Sequence, residues 1–222
     1  MTKVVIVGQG VAAQVLATYV KSESSFELAG FTVDDQFIDP QITEAQPCIP
    51  LSNIEAVYPP NSHSILIGIG YAQMNQVRMV MYRRLKEIGY TIEGFVSPRA
   101  SIASNVRLGQ GCIVLPGTVV EPYANVGENS VLWSNVTVAH HSTVGSNCWL
   151  ASGSVVSGQA KVGDNSFLGV NATIVNEIKV GEGCFIGAGA LVTKNTKENT
   201  VHITRSSEML RYSASEYSKF FM

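Results

Sequence analysis

The sequence predicts two architectures in one chain, α/β followed by all-β. Residues 1–93 read as a small parallel sheet with helices on its faces, residues 94–203 as a parallel β-helix and residues 204–222 as a tail. Three observations predict this. Every sixth residue from Val96 to Val192 is Val, Ile or Leu, with no insertion. A glycine recurs every eighteen residues at Gly109, Gly127, Gly145, Gly163 and Gly181. The first ninety residues alternate strand and helix patterns around glycine turns.

At the start, "KVVIVGQGVAAQVLATYV" reads strand, glycine turn, helix. Val4 to Val7 is a buried run, and Val11, Leu16 and Val20 give helical spacing. "FELAGFTVDD" is a second strand that ends in Asp34 and Asp35, and "SILIGIG" is a third that runs into Gly68-Ile69-Gly70. "MNQVRMVMYRRLKEIGY" is an amphipathic helix. Alternating strands and helices imply a small Rossmann-like parallel sheet. Gly8-x-Gly10-x-x-Ala13 approximates the dinucleotide fingerprint. A helix N-terminus behind such a turn favours a phosphate. Gly8, Gly10, position 69, Asp34 and Asp35, with either aspartate available for a ribose or base, are therefore the candidate nucleotide contacts. The region is too short for a full two-cofactor fold, so a nucleotide attached to a sugar fits better than a nicotinamide dinucleotide. A tight turn without a ligand is the plainer alternative.

From Val96 the hexad takes over. A period of two would make a flat sheet and 3.6 a helix, whereas six fits short faces wound around a narrow column. The residue two before each aliphatic is nearly always small, as at Cys112, Ala124, Ser130, Cys148, Ala160 and Cys184. Three hexads per glycine step make each coil a triangle. The recurring glycine is expected to supply backbone angles that other residues resist. Cys112, Cys148 and Cys184 are two coils apart in one column, about 9–10 Å at sheet spacing. That is beyond disulfide reach, so they read as buried core thiols.

Composition narrows the function. Charged residues are 14% and the net charge is −2, with no basic run, which disfavours nucleic acid. No apolar run approaches the ~20 residues of a membrane span. The opening goes straight into a strand pattern without the layout of a signal peptide. The sequence reads as cytoplasmic.

The segments "VVIVGQG", "GFTVDD", "ILIGIGYAQMN", "YRRLKEIGY", "VSPRASIASN", "VAHHSTVG", "FLGVNATI" and "IGAGALVTK" carry a resemblance. In this order they resemble the hexapeptide-repeat sugar acetyltransferases of the sialic-acid O-acetyltransferase (NeuD) and UDP-4-amino-sugar N-acetyltransferase type. The resemblance implies a left-handed β-helix, a homotrimer, and acetyl-CoA lying in the seam between neighbours, with no metal. It assigns His140 the general-base role, removing a proton from a sugar amine or hydroxyl as that group attacks the thioester. Imidazole suits the task because it ordinarily titrates near pH 6.5. It places contacts to the CoA arm at Gly158, Val170 and Ala188, with Gly169, Gly187 and Gly189 allowing close approach.

The chain departs from that pattern in places. His141 stands where relatives often carry an acid and is counted here with the substrate side. Glu121 is a candidate to replace that acid, or none is needed. Trp133 and Trp149 stand where relatives often have Asn and a second His. Arg205, Arg211 and Lys219 in the tail would meet a CoA phosphate, a neighbouring subunit or only solvent. The expected reaction is N-acetylation of a UDP- or dTDP-linked amino-dideoxysugar. The rivals are O-acetylation of a sugar such as sialic acid and a binding protein without catalysis. A zinc hydratase on the same prism needs three histidines around the metal, and His63 and His202 stand at no coil-related step from His140.

Overall fold

A computed structural model describes residues 2–39 and 47–221. The first half is a four-stranded parallel sheet of β1 (Lys3–Val7), β2 (Glu27–Val33), β3 (Cys48–Pro50) and β4 (Ser64–Ile67), in the order β3-β2-β1-β4. Three helices accompany it: α1 (Val11–Glu23), α2 (Ile54–Val57) and α3 (Gln76–Ile88). Alternation along β1 sorts the layers, as period-two geometry requires. Val4 and Ile6 pack with Leu16 and Val20 of α1, whereas Val5 and Val7 pack with Ile54 of α2 and Leu85 of α3. Val11 departs from the expected apolar face: it is 75% exposed, because it begins the helix at the mouth of a cleft.

The edge strand β3 escaped the sequence pattern, being three residues long and ending in Pro50. Proline is tolerated there because an edge strand leaves one side unpaired. α3 starts at Gln76, later than the apolar spacing suggests. Gln73, Met74 and Asn75 are all left-handed, at φ 51°, 54° and 65°, and cannot join a right-handed helix.

From Phe95 the chain winds as two-residue strands stacked into three parallel walls. Wall 1 has seven strands, from Phe95–Val96 to Val201–His202; wall 2 has six, from Ser101–Ile102 to Leu191–Val192; wall 3 has five, from Arg107–Leu108 to Lys179–Val180. Register steps are eighteen residues, as in Val126↔Val144 and Leu150↔Leu168. The column is the left-handed β-helix that the hexad resemblance implied. Its interior holds both residues of each hexad pair, such as Cys148 with Leu150 and Ala160 with Val162. The open end is looser, and Val96, the first hexad residue, is 45% exposed. All three prism cysteines are buried and free.

The recurring glycine works differently from the expectation. Gly109, Gly127, Gly145, Gly163 and Gly181 are absent from the positive-φ residues. A Cβ on any of them would instead come no more than 2.6 Å from a backbone nitrogen of the next coil. The left-handed positions form a separate hexad, from Gly111 through Asn129, Asn135, His141 and Asn147 to Gly189.

The two halves meet across wall 1. Its outward residues Phe95, Ile113, Val131, Trp149 and Phe167 are buried in the same cluster as Val4, Ile6 and α1. Arg78 on α3 is 1% exposed and donates to the carbonyls of Ile67, Ile69, Gly111 and Asn129. Burial without a carboxylate partner pulls its guanidinium down to about 10. Beside it Asn75 Nδ2 donates to Ser166 O at 3.3 Å. On the other flank Glu23 of α1 accepts from Ser97 Oγ at 2.6 Å and pairs with Arg99.

Candidate functional site

The larger candidate region is a cleft of about 760 Å³ where the first βα turn faces wall 1. Its floor is built from backbone. Gly8, at φ 121°, makes the sharp exit from β1, and Gly10 caps α1 without a side-chain hydrogen bond. The first amides of α1 thus have no helical acceptor, and they open on the cleft at Gly10, Val11 and Ala12. Such a terminus attracts anions. Gln9 is buried and ties the turn to the next loop by bonds to both backbone groups of Asp39, at 2.8 and 2.9 Å.

Of the candidate nucleotide contacts, Gly8, Gly10, Asp34 and Ile69 line this cleft. Asp34 is held by Arg84 at 3.0 Å. Asp35 is not in the lining. Its carboxylate accepts the Ser52 hydroxyl at 2.7 Å and the Ser52 amide at 3.2 Å. Those bonds hold it below the usual aspartate range. Of the two expected aspartates only Asp34 borders the cleft.

The opposite side of the cleft is aromatic. Trp133 and Trp149 stack at 5.2 Å, Phe167 and Phe185 at 4.9 Å, and Tyr71 lies over Trp149 and Phe167 at 5.3 and 4.8 Å. Sequence reasoning missed this wall, although the signal was there. The residue before each inward aliphatic, read every eighteen from Phe95, is Phe95, Ile113, Val131, Trp149, Phe167 and Phe185. The same places on wall 3 read Arg107, Asn125, Thr143, Lys161 and Lys179. An all-apolar outward column marks the covered wall. Gly169, Val170 and Ala188, expected near the CoA arm, line the far end of this cleft. Gly187 is not in the lining.

The second region is the edge between walls 2 and 3, where His140 and His141 are both exposed. The His140 ring lies over Gly158: a Cβ there would sit 2.7 Å from ring atoms Cε1 and Nε2. The backbone amide of His140 donates to Glu121 Oε2 at 2.8 Å, so Glu121 grips the main chain rather than the ring. The ring's Nδ1 instead meets His141 Nδ1 at 3.3 Å. His141 stacks on Tyr123 at 4.7 Å. In a three-walled column this edge lies opposite wall 1. The chain therefore brings together His140, His141 and Gly158 in one place and Gly8, Gly10, Asp34, Ile69, Gly169, Val170 and Ala188 in another. It does not unite the two.

The described residues of the tail, 204–221, are all exposed. Arg205 and Lys219 make no ion pair among the described residues, and Arg211 lies against Tyr212. No group of three His, Cys, Asp or Glu side chains converges among the described residues. No helix of these residues is long and apolar enough to cross a membrane.

The profile of the bacterial transferase hexapeptide family (six repeats) matches residues 159–194. No curated protein matches the chain. Solved structures do. The acetyltransferase domain of PglB from Neisseria gonorrhoeae FA1090 superposes with a TM-score of 0.83 at 19% identity, over 95% of this chain and 100% of that one. A variant of perosamine N-acetyltransferase from Caulobacter crescentus, in complex with CoA and GDP-perosamine, has a TM-score of 0.82 at 21% identity, over 92% and 94%. WeeI from Acinetobacter baumannii AYE has a TM-score of 0.78 at 18% identity, over 90% and 96%. The chain thus has the fold of these proteins, a small parallel sheet set against one wall of a left-handed hexapeptide β-helix.

Proposed function

We propose that the protein transfers the acetyl group of acetyl-CoA to the amine of a nucleotide-linked amino-dideoxysugar, with His140 as the general base. The observation that carries this reading is His140 itself. It is exposed on a prism edge, its ring rests on a glycine, and the fold is shared over nearly the whole chain with an acetyltransferase domain and a perosamine N-acetyltransferase. The neutral amine attacks the thioester carbonyl carbon and the C–N bond forms. The surplus proton passes to His140 Nε2, the C–S bond breaks, and the imidazolium returns the proton to the departing thiolate. The products are the N-acetylated sugar and CoA with a free thiol.

The nucleotide belongs in the cleft, its diphosphate at the α1 N-terminus and its ribose or base toward Asp34. The aromatic side offers the deoxysugar an apolar wall. The CoA arm runs along the edges that carry Gly158, Gly169, Val170, Gly187 and Ala188. The cleft and His140 lie on opposite sides of one column, so a second chain must supply the imidazole. A homotrimer does this, joining the 2–3 edge of one protomer to the cleft end of the next. The outward residues of wall 2, Val119, Thr137, Val155 and Thr173, are β-branched and half-buried in the isolated chain, which suits a face that meets its own copies. Both substrates are cytoplasmic metabolites, and the enzyme is placed there.

The test is thiol release from acetyl-CoA with a panel of UDP-, dTDP- and GDP-linked amino sugars and free sialic acid. One nucleotide amino sugar should turn over, and His140→Ala should lower kcat by about 10²–10⁴. Turnover of free sialic acid alone would replace this reading with O-acetylation. Near-normal turnover by His140→Ala would end the base assignment.

A further inference from the structure

We propose that His141 is a positioning residue for His140. It accepts the Nδ1 proton of that ring and so leaves Nε2 bare to receive the acceptor's proton. This rests on the general-base reading of His140.

Three observations converge on it. The two rings face each other through the same nitrogen, Nδ1 to Nδ1 at 3.3 Å, with an interplanar angle of 82°. A hydrogen bond there needs one proton, on one of the two atoms. If His140 holds it, Nε2 is the free base and His141 carries its own proton on Nε2. Both residues are also fixed by the coil beneath them. The His140 amide is held by Glu121, the His141 amide donates to Pro122 O at 3.1 Å, and the His141 ring stacks on Tyr123. On the coil above, Gly158 and Gln159 complete the corner and carry no titratable group.

The third observation is backbone strain. Among the described residues of the prism, left-handed corners are filled by Gly or Asn on the other two edges. On the 2–3 edge they are Tyr123, His141, Gln159 and Glu177, at φ 65°, 58°, 61° and 65°. Left-handed geometry disfavours such side chains by about 1–2 kcal/mol each, and strain of this kind gathers where side-chain direction is used. Position 141 is one of these corners, and its imidazole faces that of His140.

The arrangement has a consequence that a carboxylate in this place would not have. Protonating His141 puts a proton on its Nδ1 and turns the acceptor into a second donor. The orientation of His140 is then lost, whether or not His140 itself is protonated. Two protonations of the enzyme therefore inactivate the wild type, and log(kcat/KM), corrected for the protonated fraction of the sugar amine, should fall with a slope approaching two on the acid side. Glu121 and Tyr123 are the other titratable groups facing the pair. Glu121 is engaged by the His140 main chain and stays in place in every variant below.

The experiment compares wild type with His141→Asn, His141→Gln and His141→Leu. The corner accepts Asn and Gln, since both occupy left-handed corners elsewhere in the prism. Their amide oxygens accept the Nδ1 proton without titrating, so the acid slope should fall to one. His141→Leu removes the acceptor and should lower plateau kcat about tenfold to a hundredfold with KM little changed, as for other imidazoles that lose their orienting partner. A long-range ¹⁵N spectrum of the wild type should show the His140 proton on Nδ1. A wild-type slope of one that the Asn variant leaves unaltered, or a His140 proton on Nε2 in the resting enzyme, overturns the proposal. If His140→Ala is inactive at the same time, the general-base reading survives it.

Discussion

A single added methyl at Gly158 would collide with the ring of His140, because its Cβ would stand 2.7 Å from Cε1 and Nε2. The Gly158→Ala variant should keep its fold, since this glycine has no positive φ. It should lose about a hundredfold in kcat, the usual cost of misplacing a reacting group by an ångström. Steady-state kinetics beside a thermal melt would check both halves, and unchanged kcat would mean that the ring does not work from this position. The cysteines give a second test at this scale. Burial pushes the Cys148 thiol up to about 12 and raises that of Cys112. Native protein at pH 8 should therefore present only half-buried Cys48 to a thiol reagent, with the three prism thiols appearing on denaturation. Prompt labelling of Cys148 would contradict the packed column.

At the scale of elements, the molecule depends on how α1 and α3 hold wall 1. Arg78→Met would leave the carbonyls of Ile67, Ile69, Gly111 and Asn129 without their buried donor. A loss of about 3–5 kcal/mol is expected in urea unfolding. On the other flank the Ser97 hydroxyl and then Arg99 hold the Glu23 carboxyl below its usual range. A depressed acid lends stability above its unfolded pKa and loses it as pH falls through the folded value. Glu23→Gln should therefore flatten the decline of Tm below about pH 4.3 and lower Tm slightly at pH 7.

These two contacts show where the sequence stopped speaking. The hexads, the core cysteines and the strands from Val4, Phe31 and Ile65 were legible, because each repeats a burial pattern over several residues. Arg78 was not: in "QVRMVMYRRL" it looks like one more solvated arginine. Its burial depends on carbonyls 33 and 51 residues away. The glycine step was visible but its reason was not, since only the stacked coil shows that a Cβ would strike the next backbone. The aromatic side of the cleft could have been read from the outward column. Its meeting with the Gly8 turn could not, because that is a contact between two halves of the chain. The His140–His141 contact follows from a left-handed corner that no local pattern announces.

At the scale of the whole molecule, the account requires more than one chain per site. Gly10 lies in open space at φ −80°, so Gly10→Phe should fold and fill the cleft. That variant and His140→Ala should each be inactive alone. Sedimentation of the wild type should give the mass of three chains. The most direct test is to co-refold the two inactive variants in equal amounts and follow thiol release from acetyl-CoA with the accepted sugar. If one protomer supplies the cleft and its neighbour the imidazole, about a quarter of the sites in random trimers are whole and activity returns to about that share. If mixed trimers form and remain as inactive as their parents, the cleft and His140 do not act together across chains, and the account fails.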